Sequence, residues 1–80
     1  MRGEDVNEAR FARSWRGYDE RSVDELLERI EAHLTDPSAD RLDVEDVRRA
    51  VLPRSPFGLR GYACADVDAF LDRVVQEWPR

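Results

Sequence analysis

An internal repeat constrains this chain more than any other feature. Arg16-Gly17-Tyr18 recurs as Arg60-Gly61-Tyr62, and the residues beyond each tripeptide match at one spacing: Val23-Asp24 with Val67-Asp68, Leu26-Leu27 with Phe70-Leu71, Arg29-Ile30 with Arg73-Val74, and Leu34 with Trp78. Upstream, Glu4-Asp5-Val6 echoes Glu45-Asp46-Val47 and Phe11 falls opposite Leu52, with three extra residues before the second tripeptide. So many matches at one offset describe a tandem duplication. Eighty residues allow one domain and not two independent ones. The chain divides into repeat 1 (1–35), a linker (36–42) and repeat 2 (43–80).

Each repeat carries an amphipathic helix after its RGY. Val23, Leu26, Leu27, Ile30 and Leu34 step by three and four, as do Val67, Phe70, Leu71, Val74 and Trp78. Asp19 stands where an N-cap belongs, and Glu20 adds charge favourable to a helix N-terminus. The matching cap position in the second repeat is Ala63, a poor cap, so that helix end frays or is held by tertiary contacts. Asp36-Pro37-Ser38 stops the first long helix. Asp43 opens a short helix with apolar Val44, Val47 and Val51, followed by Leu52 and ended by Pro53. Residues 53–61 hold two prolines and two glycines and read as a loop. A short first helix is expected over Val6 to Phe11. No β-hairpin signal appears. The expected class is all-α: short helix, RGY loop and long amphipathic helix, twice. The RGY glycines are expected at backbone angles other residues resist. The tyrosines are expected to pack back onto their own long helices.

Composition narrows the function. The formal net charge is −5, which argues against nucleic acid as a partner. All thirteen basic residues are Arg, a bias that codon usage explains as well as function does. Cys64 is the lone cysteine, so neither an intrachain disulfide nor a thiolate cluster can form, and a reducing cytoplasm is the expected setting. The N-terminal residues are too charged for a signal peptide. No cofactor or metal is expected, and no catalytic residue stands out. His33 reads as solvated rather than as a ligand. Asp24, Asp68 and Asp72 read as salt-bridge partners beside the apolar seams.

These residues resemble a known family. The string from Phe11 through Trp15-Arg16-Gly17-Tyr18-Asp19-Glu20, followed by Val23-Asp24 and Leu26-Leu27, is similar to the N-terminal domain of DivIVA, a bacterial scaffold of cell poles and division sites. The second copy, Val47 to Tyr62 with Val67-Asp68-Ala69-Phe70-Leu71-Asp72, resembles its actinobacterial form. The resemblance implies a short helix, a crossed loop and a parallel coiled coil, with a loop aromatic entering the bilayer and a neighbouring Arg on lipid phosphates. Those roles fall on Trp15 and Arg16 in the first copy. In the second copy they fall on Arg60 with either Leu59 or Phe57. The long coiled coil that follows in the family is not part of this sequence. Packing as a small helical bundle and packing as a single-chain mimic of the family's head dimer both remain open.

Residues 10–16 carry Arg10, Arg13, Arg16, Phe11 and Trp15, a composition suited to a lipid surface, where each basic residue near an anionic leaflet contributes about 1 kcal/mol. The bland alternative makes both rings core. Two non-enzymatic functions follow. One is a DivIVA-like adaptor in cell division or polar growth, cytoplasmic and peripheral at the inner face of the membrane, partnered by itself or by a full-length scaffold. The other is a soluble module that binds a partner protein along its helix seam (Val23, Leu26, Leu27, Ile30 and Leu34, with Val67, Phe70, Leu71, Val74 and Trp78).

Overall fold

Asp19 accepts the backbone N–H of Ser22 at 3.1 Å and its hydroxyl at 3.0 Å, which starts the first long helix where the sequence places its cap. The computed structural model describes residues 1–38, 41–56 and 58–79. In chain order the elements are α1 (Gly3–Asn7), β1 (Arg13–Trp15), α2 (Glu20–Thr35), α3 (Val44–Arg48), β2 (Arg60–Tyr62) and α4 (Cys64–Gln76). The molecule is elongated, 40 × 17 × 17 Å.

The all-α expectation, as a helical bundle or as an all-helical head-dimer mimic, is corrected. β1 and β2 pair antiparallel, with Arg13 opposite Tyr62, Ser14 opposite Gly61 and Trp15 opposite Arg60. This small sheet joins the two halves, so the fold mixes helix and strand. Three-residue strands offer no alternating pattern to read. Their pairing comes from the close approach of two distant segments.

Contacts recur with the halves exchanged. Tyr18 N–H donates to the Tyr62 carbonyl at 2.8 Å, and Tyr62 N–H to the Tyr18 carbonyl at 3.0 Å. Asp19 N–H donates to Pro53 O at 2.8 Å, and Ala63 N–H to Ala12 O at 2.7 Å. Asp5 accepts Arg2 N–H at 2.9 Å, as Asp46 accepts Asp43 N–H at 3.0 Å. Each RGY is thus held by the other half, and α2 and α4 both begin at this junction. The cap position Ala63 has no capping side chain, and its tertiary bond to Ala12 anchors that end instead.

α1 packs on α2, and α3 on α4. Val6, Ile30, Leu42, Val47 and Val74 form the core cluster, with Leu26, Leu27, Leu34, Phe70, Leu71 and Trp78 packed against it. Val23 and Val67 are fully buried. The seam is therefore filled inside the chain.

Several local expectations change. α1 lies at Gly3–Asn7 rather than Val6 to Phe11. α3 ends at Arg48, well before Pro53, and Val51 is exposed rather than packed. The loop reading of 53–61 gives way at Arg60, where β2 starts. Neither RGY glycine has a positive φ; among the described non-glycine residues that angle belongs to Arg16, at 60°. The glycines answer to crowding instead. A Cβ on Gly17 would meet the Tyr62 carbonyl oxygen and Gly61, and a Cβ on Gly61 would meet the Tyr18 carbonyl oxygen and Gly17.

Candidate functional site: an aromatic and cationic tip

Trp15, the last residue of β1, is 63% exposed, and Leu59, just before β2, is 58% exposed. Large apolar side chains left in water at one place mark a surface meant to be covered. The Arg60 guanidinium lies over the Trp15 ring, 5.4 Å from its centroid. Arg16, exposed and in the left-handed region, follows Trp15 directly. Trp15, Arg16, Pro56, Gly58 and Leu59 line a cavity of about 400 Å³.

Of the residues named from sequence, Trp15, Arg16, Leu59 and Arg60 come together here. Phe57 lies outside the described residues. Arg13 is committed elsewhere, pairing with Glu20 at 3.0 Å. Arg10 donates to the carbonyls of Asn7 and Ala9, so it serves the end of α1. Phe11 is half-buried, its ring 5.3 Å from Tyr62 and 5.7 Å from Phe70.

Sequence reading missed Arg54. Its Nη1 donates to Arg16 O at 3.1 Å, and its guanidinium stacks over Tyr18 at 5.6 Å. Arg54 occupies the place of Arg13 in the repeat, and Cys64 the place of Glu20. The ion pair of the first copy therefore has no acid in the second, and that substitution is the signal by which Arg54 could have been found. Cys64 Sγ lies 3.8 Å from Arg16 O.

Behind the tip, the tyrosines cross between halves instead of packing on their own helices. Tyr18 OH donates to Asp68 at 2.8 Å, and Tyr62 OH to Asp24 at 3.0 Å. Both phenols are pushed above the ordinary value, Tyr18 foremost by its bond to Asp68 and Tyr62 foremost by burial. The aspartates are thus phenol acceptors. Among the described residues, none of Asp24, Asp68 and Asp72 forms an ion pair. His33 is half-buried rather than solvated, stacked on Trp78 at 4.9 Å and accepting Leu42 N–H on Nδ1 at 3.2 Å.

Among the described residues, no cluster of His, Cys, Asp or Glu could hold a metal ion. No helix among them is long and apolar enough to cross a membrane. Comparisons with protein-family models, curated proteins and solved structures find no match for the chain.

Proposed function

We propose that this chain is a non-enzymatic adaptor of the DivIVA type, resting its tip on the anionic inner face of a bacterial membrane during cell division or polar growth. The observation that carries the reading is the exposed Trp15 ring flanked by Arg16 and Arg60. An indole suits the interfacial layer of a bilayer, and guanidinium groups suit lipid phosphates. The net charge of −5 opposes general approach to an anionic surface, so contact needs a local cationic patch such as this one. Two arginines at about 1 kcal/mol each, plus one aromatic, give weak binding that salt screens. Self-association or a full-length scaffold would raise it through avidity.

The alternative, a soluble module that offers its seam to a partner, is less favoured. The seam residues already pack in the chain's own core, and a partner would have to displace them.

Co-sedimentation with phosphatidylglycerol vesicles tests the proposal. The wild type is expected to pellet at low salt, and a variant with Trp15→Ala and Arg16→Ala to stay in the supernatant. Both side chains are exposed, so the fold should survive the change. A wild type that ignores the vesicles at low salt would reject the membrane role.

A further inference from the structure

The two halves differ most at the tip. Ser55 stands where Ser14 does in the repeat and Leu59 where Trp15 does, so Pro56-Phe57-Gly58 is an insertion particular to the second half. Among its described residues and their neighbours, Leu59 N–H donates to Pro56 O at 3.0 Å, and Gly58 takes a φ of 90°. Pro56, Gly58 and Leu59 line the cavity together with Trp15 and Arg16. Its volume, about 400 Å³, falls in the range of about 300–1,000 Å³ typical of small-molecule sites.

The charge around this cavity is uncompensated. Arg13 in the first half has Glu20, but Arg16, Arg54 and Arg60 pair with no carboxylate among the described residues. An apolar recess beside guanidinium groups that have no carboxylate partner among the described residues is complementary to a molecule with an apolar tail and an anionic head.

We propose that the tip seats one anionic phospholipid molecule, an acyl chain among Trp15, Pro56 and Leu59 and the phosphate on Arg16 and Arg60. This rests on the reading of the tip as a lipid-contacting surface and goes beyond it: a stoichiometric site replaces general contact with a bilayer. Arg54 holds the Arg16 carbonyl and adds a third positive charge. Pro56 and Gly58, which have no counterpart in the first half, line the recess.

A short-chain lipid below its critical micelle concentration separates a seat from a surface. Dihexanoyl phosphatidylglycerol is titrated into the protein while the Trp15 indole N–H cross-peak is followed by NMR, with inorganic phosphate in a parallel arm. The wild type is expected to saturate at one lipid per chain and to ignore phosphate alone. Leu59→Glu, at an exposed position, and Arg60→Gln are each expected to weaken monomer binding at least tenfold. Variants that bind the monomer like wild type would overturn the seat. An equal response to inorganic phosphate would reduce the site to an anion contact and overturn it too. A wild type that ignores the monomer but pellets with vesicles would overturn the seat and leave the membrane reading standing. Failure in both assays would remove both.

Discussion

Replacing Gly17 with alanine should damage the molecule far more than a surface glycine change does. The added Cβ would lie 2.6 Å from the Gly61 carbonyl carbon and 2.7 Å from its oxygen, besides meeting the Tyr62 carbonyl oxygen. All three are backbone atoms, so no side chain can swing away. Relief requires the two RGY segments to separate, which breaks the paired Tyr18–Tyr62 backbone bonds and strains the two tyrosine–aspartate bonds. At about 1 kcal/mol net per hydrogen bond, the loss is about 2–4 kcal/mol. Total stabilities of small domains run about 5–15 kcal/mol, so the change is severe. Gly61→Ala should match it, since its Cβ meets the Tyr18 carbonyl oxygen and Gly17 in turn. Gly58→Ala is the control: its Cβ meets nothing within 4 Å, and only its φ of 90° is unfavourable, at about 1–2 kcal/mol. Urea unfolding followed by circular dichroism measures all three. A Gly17→Ala midpoint within error of wild type would refute the crossed-segment geometry.

Four further outcomes are expected. Ala63→Ser should stabilise by about 1 kcal/mol in the same assay, because Ala63 has φ −54° and ψ 123°, nearly the −55° and 122° of the capping Asp19. Ile30→Ala, at a fully buried core position, should cost about 2–5 kcal/mol by chemical denaturation. Tyr18→Phe and Tyr62→Phe should cost similar amounts, about 0.5–1.5 kcal/mol each, since each loses one equivalent bond; widely unequal values would contradict the exchange relation between the halves. Both phenols hold their protons more tightly folded than unfolded, so the stability they contribute is full below pH about 10 and falls as pH rises through the raised folded values; phenolate absorbance and melting temperature should change together there.

Local signals carried some of this architecture and missed the rest. Asp19 and the Asp36-Pro37 stop were readable because caps and prolines act on their own backbone, and α2 lies between them. The seam was readable because buried positions recur at helical spacing. What escaped was everything made by one half upon the other. β1 and β2 are too short for a pattern, and their partners are distant in sequence. Sequence offers backbone angle, the usual local reason for glycine, for the RGY glycines, whereas their cause is the opposing segment of the chain. Local spacing points the tyrosines at their own helices, but they reach Asp68 and Asp24 across the junction. At the tip, Trp15, Arg16, Leu59 and Arg60 stand out in the sequence only through the family resemblance. Arg10 and Arg13 looked equivalent to Arg16 by composition but are bound by local partners, while Arg54 became visible only once Cys64 was seen to leave it without an acid.

Depth-dependent quenching of Trp15 puts the membrane role to the test with least intervening inference. In a Trp78→Phe background, Trp15 is the sole indole. Vesicles of phosphatidylglycerol with brominated acyl chains should quench its emission, because the ring enters the layer where bromines lie, and Arg16→Ala with Arg60→Ala should abolish the effect. Emission that stays unchanged while the protein pellets with those vesicles would mean that another face meets the lipid, contradicting the tip as the membrane-contacting surface.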